Sequence, residues 1–141
     1  MKTQSGGRME SNKVVIRYAD GRVLKGYVPD FFPNKDRFHL HADPGTPGQG
    51  TEIFVKDLKA VFFVRDFAGN PQSHERKFHL TEEEFQGHIV EVTFADGEIL
   101  VGSTLGYDPR RQGFFLFPID SESNNVRIFT ITAAVRSVRF I

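Results

Sequence analysis

The sequence predicts an all-β protein built from two tandem copies of one small barrel unit, and three observations support that prediction. Residues 14–40 align with residues 90–116 without a gap. Each copy shows alternating apolar and polar residues, and an Asp-Gly pair follows at once. A repeat of this length indicates one supersecondary unit used twice. The identical pairs are Val14/Val90, Ala19/Ala95, Asp20/Asp96, Gly21/Gly97, Leu24/Leu100, Gly26/Gly102, Pro33/Pro109, Phe38/Phe114 and Leu40/Leu116.

The opening strand of each copy is predicted by an alternation with a period of two. Apolar side chains recur at every second position from Val14 to Tyr18 and from Val90 to Phe94, which is typical of a strand with one buried face. An Asp-Gly pair between two such runs indicates a hairpin, because glycine accepts the positive φ that a two-residue turn requires. The predicted turn residues are Asp20, Gly21, Asp96 and Gly97.

The second strand of each copy carries a glycine in its interior. Gly26 lies within residues 23–28 and Gly102 within residues 99–105. Glycine weakens a strand, so its recurrence predicts a bend or the close approach of another backbone, as in a small barrel. A strand ending in Phe-x-Leu, a loop rich in turn formers and two further strands complete each unit.

The chain divides into four predicted segments. An N-terminal tail over residues 1–11 precedes a first unit over 12–67, and a second unit covers 87–141. Residues 68–86 form a polar connector whose Thr-Glu-Glu-Glu run has capping-box spacing, so this segment holds at most one helical turn. Units of roughly 55 residues are near the lower limit of independent stability, so we expect the two units to lean on each other.

Composition and charge narrow the class of protein. The 141 residues include 18 basic and 18 acidic side chains, so the chain lacks the broad positive field of non-specific nucleic-acid binders. Cysteine is missing, which excludes disulfides, thiolate zinc sites and cysteine nucleophiles. No apolar run approaches the ~20 residues of a membrane span. We therefore expect a cytoplasmic protein without a membrane segment.

A second shared motif follows the variable loop of each copy. It reads Ile-Phe-Val-Lys-Asp-Leu-Lys-Ala-Val over residues 53–61, and the second copy aligns residues 128–130 and, after a two-residue lengthening, 135–138. Together with the Asp-Gly turn, the strand glycine and the Phe-x-Leu strand, this motif resembles the two-part signature of Sm-like proteins, including the bacterial RNA chaperone Hfq. The resemblance implies two Sm-like or SH3-like barrels in tandem. It also implies RNA as a ligand.

The RNA-contact positions of Hfq-like proteins are not kept in this chain. In those proteins the isoleucine of the second motif is followed by a tyrosine, a lysine and a histidine that contact RNA. The resemblance therefore supports the barrel more strongly than the RNA site. The whole chain is also similar, through its FVRDF and GFFLFP segments, to an uncharacterised bacterial domain family, which implies no activity. The matching positions are Phe54, Val55 and Lys56 in the first copy and Phe129, Thr130 and Ile131 in the second.

No pattern in the chain predicts catalysis or metal binding. His39 and His41 share a face of a predicted strand, but no nearby cluster supplies further ligands. The stretch from Gly102 to Gly106 imitates a nucleophile elbow with threonine at its centre, yet Gly102 is explained by its match in the first copy. We therefore predict no enzyme, no catalytic residue, no metal site and no cofactor.

Two aromatic side chains of the second copy are predicted to point away from its own core. If Phe114 and Leu116 face inward, Phe115 and Phe117 face outward. Outward aromatic side chains at successive positions on one face need a cover. We expect the other repeat or the connector to supply it, with the surface of a partner as the alternative.

The turn before that strand is the best exposed candidate patch. It carries Tyr107 beside Arg110 and Arg111, and an aromatic ring next to guanidinium groups can contact a ligand.

Our hypothesis is a non-enzymatic interaction or regulatory module that binds a protein partner or a second copy of itself. RNA binding in the Sm manner, and binding of a small anionic ligand through Arg110, Arg111 and Arg127, are the alternatives. The candidate partner-binding or ligand-binding residues are Tyr107, Arg110, Arg111, Phe115 and Phe117.

Overall fold

The computed structural model describes residues 11–44, 50–67, 87–120 and 122–141, and its regular structure there is almost entirely β-strand. The all-β prediction is confirmed, whereas the predictions for residues 1–10 and 68–86 lie outside the described residues. No helix in those described ranges is long and apolar enough to cross a membrane. The strands are β1 (Asn12–Tyr18), β2 (Val23–Val28), β3 (Arg37–Leu40), β4 (Thr51–Phe54), β5 (Leu58–Val64), β6 (His88–Phe94), β7 (Ile99–Thr104), β8 (Gly113–Pro118), β9 (Asn125–Ile131) and β10 (Val135–Phe140), with short 3-10 helices at Val55–Asp57 and Thr132–Ala134.

Eight strands form one antiparallel sheet in the order β10-β6-β7-β8-β9-β5-β1-β2. β3 and β4 pair with each other and meet β2 through a single bridge between Tyr27 and His41. We call β1–β5 the first half of the chain and β6–β10 the second half. In both halves the fifth strand lies beside the first, and the third lies beside the fourth. The described strands form no closed barrel, in contrast to the two small barrels expected from the sequence. The reason is that the edge of β5 opposite β1 pairs with β9 of the second half, and not with a strand of its own half.

β5 is the strand through which the two halves meet. One of its edges pairs with β1, and the other pairs with β9, where Ala60 lies opposite Thr130 and Val61 opposite Phe129. All of its residues are buried, including Lys59. A strand buried on both faces reads as a nearly continuous apolar run, and Leu58–Val64 is such a run with one lysine in it.

Each of the two hydrophobic cores contains side chains from both halves. One face of β9 packs into the core of the first half, and one face of β5 packs into the core of the second half. Full burial of one such side chain stabilises the fold by roughly 1.5–3 kcal/mol. Neither half therefore encloses its core alone. The side chains that cross are Phe129 and Ile131 in the first core, and Ala60, Phe62 and Val64 in the second.

Both Asp-Gly pairs lie in hairpin turns of matching geometry. Gly21 has a φ of 99° and Gly97 a φ of 97°, in the left-handed region that favours glycine. The carboxylates of Asp20 and Asp96 each accept a hydrogen bond from the backbone N–H two residues on, at 3.0 and 2.9 Å. The flanking backbone hydrogen bonds enclose three residues, not the expected two. The glycine takes the third loop position, which needs the positive φ in this longer hairpin.

A buried lysine ties β5 to the turn of the second half. The Lys59 side chain is 8% exposed, and its Nζ donates to Asp96 Oδ2 at 2.7 Å and also to Glu98 Oε1. Burial lowers the pKa of Lys59, but the hydrogen bonds to the two carboxylates outweigh it, and the pKa is raised. The hydrogen bond from Lys59 lowers the pKa of Asp96. Lys59 and Asp96 thus form a charged ion pair at neutral pH across the boundary between the halves.

Replacing Phe129 by alanine should destabilise the whole chain rather than the second half alone. The Phe129 ring lies fully within the first core, and such truncations cost about 3–5 kcal/mol. We expect one urea-unfolding transition at a lower midpoint, with amide protection lost in β1 and β2 as well as in β9. The control is Val126→Ala on the exposed face of β9, which should change the free energy by less than about 0.5 kcal/mol. Two separate transitions would show that the halves fold independently.

Lys59→Met should reduce the pH dependence of stability at both ends of the range. Because folding lowers the pKa of Asp96, its carboxylate stabilises the folded state at pH values above the unfolded pKa of ~3.9. This contribution is lost as the pH falls through the folded pKa. Because folding raises the pKa of Lys59, its ammonium group stabilises the folded state at pH values below the unfolded pKa of ~10.4. This contribution is lost as the pH rises through the folded pKa. Urea midpoints measured across pH should show smaller losses in the variant than in the wild type. An identical pH profile would mean that this cluster is not linked to folding.

Candidate binding cleft

A cleft of about 490 Å³ lies where the two halves meet. Most of its lining comes from the β7–β8 loop and β8, and the loop between β2 and β3 contributes Pro33. A second cavity of about 350 Å³ shares Pro33, Arg111 and Gly113 with it. We call the larger cavity the aromatic cleft. Its principal lining residues are Pro33, Thr104, Leu105, Tyr107, Asp108, Arg111, Phe114, Phe115, Phe117 and Phe129.

The floor of the aromatic cleft is anchored to the core of the first half. The Phe115 ring has its centroid 5.1 Å from that of Phe129, 6.2 Å from that of Phe31 and 6.3 Å from that of Phe63. Inclined ring pairs at such distances are favourable. Phe117 lies 6.3 Å from Phe115, and both rings are half-buried. The cover over Phe115 is thus the other half of the chain, and the remaining exposed surface of both rings lines the cleft.

Arg127 lies on the same aromatic surface, and its charge is only partly compensated. Its guanidinium carbon is 4.3 Å from the centroid of the Phe63 ring and 4.7 Å from that of Phe115. These distances are typical of cation–π contacts. Burial lowers the pKa of Arg127, and no carboxylate of the described residues lies within ion-pair distance of it. Arg127 is therefore a partly desolvated cation that does not itself line the cleft but contacts Phe115, which does.

The turn at Tyr107 is less basic than its sequence indicates. Arg110 Nε donates to Asp108 Oδ1 at 3.1 Å, and Arg111 Nε lies 4.0 Å from Asp108 Oδ2. The hydrogen bond from Arg110 holds the pKa of Asp108 below its usual value. The Tyr107 ring packs edge-on against Phe114 at 4.9 Å, next to the second core. The arginines share one carboxylate, and the tyrosine is partly used for packing.

Gln112 joins the β2–β3 loop to the second half, a role that sequence reasoning missed. Its Nε2 donates to the backbone oxygens of Pro33 at 2.8 Å and Lys35 at 2.6 Å. Its own backbone oxygen accepts a hydrogen bond from Thr132 N at 2.9 Å. These bonds hold the β2–β3 loop against the second half. A lone glutamine in a turn carries no sequence signal for such a contact, because its partners are backbone atoms far away in the chain.

The two strand glycines lie where another backbone approaches closely. A Cβ atom on Gly26 would lie 2.6 Å from the backbone oxygen of His41, and one on Gly102 would lie 2.5 Å from that of Phe117. Both distances are shorter than any ordinary contact of a Cβ atom. Gly102 thereby allows β7 to pack against the strand that carries the cleft aromatics.

The strand register corrects the alignment of the second motif. Phe38 pairs with Ile53 in the first half, and its match Phe114 pairs with Thr130 in the second. The sequence alignment, which placed Ile128 against Ile53, is therefore two residues out. The second-half positions that match the expected RNA contacts therefore change as well. In the first half, Val55 is buried and Lys56 is exposed. The structural matches of Phe54, Val55 and Lys56 are Ile131, Thr132 and Ala133 rather than Phe129, Thr130 and Ile131.

His39 lies in β3, and His41 lies just after it. His39 Nδ1 is 2.7 Å from Asp30 Oδ2, within hydrogen-bond distance, and His41 is buried, with its backbone bridged to Tyr27. The described part of the chain contains no group of three side chains suited to holding a metal ion.

Gly102→Ala should destabilise the protein, whereas Gly106→Ala should not. The new Cβ at Gly102 would overlap the Phe117 backbone oxygen, and overpacking of this kind costs about 1–3 kcal/mol. Nothing lies within 4 Å of a Cβ placed on Gly106, so that variant should stay within about 0.5 kcal/mol of the wild type. Urea unfolding of both variants measures the difference. Equal stabilities would contradict the close approach of β7 to β8.

Comparisons with known proteins identify a family for this chain. A family model matches residues 10–141, which includes the residues that line the aromatic cleft. No curated protein and no solved structure matches the chain significantly. The expected similarity to an uncharacterised domain family is confirmed, and the Sm-like resemblance stays a hypothesis. Because the match covers nearly the whole sequence, the chain belongs to the family of unknown function DUF6982.

Proposed function

We propose that this chain is a non-enzymatic interaction module whose aromatic cleft binds an extended segment of a protein partner. The segment would carry an apolar side chain for the cleft and a carboxylate for Arg127. The observation that carries the proposal is the position of Arg127, a partly buried cation on an aromatic surface with no carboxylate partner among the described residues.

The apolar half of the proposal rests on the lining of the cleft. Phe115 and Phe117 leave part of their rings uncovered, and Leu105 at the mouth is 66% exposed. Apolar groups gathered around one cleft gain free energy when a partner removes them from water. An aliphatic or aromatic side chain of the partner would fill this space.

The charged half of the proposal rests on desolvation. A guanidinium taken partly out of water is stabilised by a hydrogen-bonded anion, and a bidentate carboxylate fits its planar geometry. Arg110 is a weaker candidate for this role because Asp108 already accepts its hydrogen bonds. Arg111 lines the cleft 4.0 Å from the same carboxylate. These contacts favour one carboxylate beside Arg127 over a polyanion along the turn.

We infer in addition that the two halves are copies of one duplicated Sm-like or SH3-like unit. The shared pairing order and the matching Asp-Gly turns support this origin. We place the module in the cytoplasm, in keeping with a chain that contains no cysteine.

Panning a displayed library of short peptides against the protein tests the proposed function. The enriched peptides should share an apolar residue followed closely by Asp or Glu. Arg127→Gln should weaken their binding about ten- to hundredfold, the loss of one charge-assisted hydrogen bond. Arg127→Lys should restore part of it. Arg110→Gln, a change at an arginine bound to Asp108, is the matched control and should leave affinity unchanged.

Fluorescence anisotropy with U-rich and A-rich oligonucleotides tests the RNA alternative alongside. With zero net charge, we expect dissociation constants no better than about 10⁻⁴–10⁻⁶ M at physiological salt. Tight RNA binding that is lost in an Arg110→Ala/Arg111→Ala variant would replace the peptide proposal. Enriched peptides without an acidic residue, or with no dependence on Arg127, would also overturn it.

A further inference from the structure

We propose that the aromatic cleft contains a subsite for one carboxylate at the backbone N–H group of Phe115. The carboxylate of the ligand would take the place that the Asp30 side chain occupies against β3 in the first half. The inference rests on the proposed function, because it locates the carboxylate of the partner within the cleft. It adds a backbone donor to the recognition of that carboxylate.

The N–H group of Phe115 points away from β9, toward the side of β8 on which the cleft lies. In an antiparallel strand, successive residues direct their backbone N–H and C=O groups to alternate sides. Gln112 O accepts a hydrogen bond from Thr132 N, just after β9, so Phe115, three residues on, faces the other way. The Phe115 carbonyl confirms this direction, because Thr104 Oγ1 of β7 donates to it at 2.8 Å.

This N–H group has no acceptor among the described residues. The ladder between β7 and β8 pairs Ser103 with Phe117 and Gly102 with Pro118, and it does not reach Phe115. On the cleft side, the hydrogen bond of Phe115 is the one that its oxygen accepts from Thr104. Backbone N–H groups shielded from water are nearly always paired. An acceptor supplied by a ligand would therefore gain a hydrogen bond here without displacing another.

The first half shows which acceptor fits this position. The corresponding N–H group belongs to His39 and donates to Asp30 Oδ1 at 2.9 Å. The other oxygen, Asp30 Oδ2, lies 2.7 Å from Nδ1 of the same histidine. Hydrogen bonds from a backbone N–H to a carboxylate are charge-assisted and stronger than those between neutral groups. A carboxylate thus satisfies this donor in the first half, and both of its oxygens take part.

The contacts around the two positions show that they correspond. Each half has the same bridge between its second and third strands and the same edge-on pair of rings beside it. Phe115 is therefore the counterpart of His39, and Gly106 is the counterpart of Asp30, as in the ungapped alignment. The two bridges are Tyr27–His41 and Ser103–Phe117, and the two ring pairs are Phe31–Phe38 and Tyr107–Phe114.

Gly106 provides no side chain to occupy the place of the carboxylate in the second half. Apart from its chain neighbours, nothing lies within 4 Å of a Cβ atom placed on Gly106, and Gly106 lines the cleft together with Phe115. Space for a carboxylate therefore lies beside the open N–H group. Its second oxygen would be available to Arg127, whose guanidinium lies over the Phe115 ring, as Asp30 Oδ2 is available to the His39 ring.

Substitutions at Gly106 test the subsite, because they can supply the acceptor from within the chain. Gly106→Asp and Gly106→Asn would each bring a side-chain oxygen to the Phe115 N–H group, whereas Gly106→Ala, the matched control, would not. The probe is acetyl-Leu-Asp-amide, added to the full-length protein and followed by NMR through the Phe115 amide resonance. In the wild type this resonance should shift until it saturates. Acetyl-Leu-Asn-amide should bind about tenfold more weakly, because its acceptor is neutral.

The Asp and Asn variants should both lose affinity for the acidic probe, by about ten- to hundredfold. Gly106→Ala should bind it like the wild type. Hydrogen exchange in the absence of any probe gives a second measurement. The Phe115 amide should exchange about tenfold or more slowly in Gly106→Asp than in Gly106→Ala, because only the former supplies it with an acceptor.

The pattern of losses separates a hydrogen-bonded subsite from other effects. Weaker binding in Gly106→Asp but not in Gly106→Asn would indicate charge repulsion, and equal losses in all three variants would indicate steric exclusion. Either result would overturn the subsite, as would a Phe115 amide whose exchange rate is the same in every variant.

Failure of the subsite can be distinguished from failure of the proposed function. Library peptides that depend on Arg127 but bind every Gly106 variant like the wild type would contradict the subsite and leave the proposed function standing. A Phe115 amide that responds to the acidic probe as expected, in a protein that enriches no Arg127-dependent peptide, would support the subsite and contradict the proposed function.

Discussion

The antiparallel ladder between β5 and β9 is the interaction on which both hydrophobic cores depend. It turns the outer face of each strand into the core of the opposite half, so that Phe129 completes one core and Phe62 the other. Cavities left by such side chains cost several kcal/mol, which is comparable with the whole stability of a small domain. A sequence that reads as two units therefore forms one interdependent structure.

The same ladder creates the candidate binding cleft. β8 lies beside β9, and the ladder brings its Phe115 ring onto the aromatic side chains of the first half. Gln112 and Lys59 also join the halves, Gln112 through hydrogen bonds and Lys59 through ion pairs. A ligand in the cleft would contact mainly the second half, with Pro33 as the contribution of the first. Its affinity would therefore depend on the junction as well as on the lining residues.

The charges of the chain sum to zero, but their local distribution distinguishes the arginines from one another. Arg110 and Arg111 share Asp108 within one turn, so their combined field is reduced. Arg127 instead lies over two phenylalanine rings at the meeting point of the halves. Rings offset only part of the desolvation of a cation. This difference between exposed, paired arginines and a partly buried one is the basis for choosing a binding residue.

The sequence by itself determined the strands, the Asp-Gly turns and the close approach at Gly26 and Gly102, because alternation and turn chemistry are local properties. It also supported membership of an uncharacterised family. It did not determine the second motif's register in the second half, because a two-residue shift keeps every side chain on the same face. Only the tertiary structure decided that β5 pairs with β9 instead of closing a barrel, and that Arg127 contacts Phe115 of the cleft. Those outcomes depend on which strand edges meet, and residues far apart in the chain decide that together.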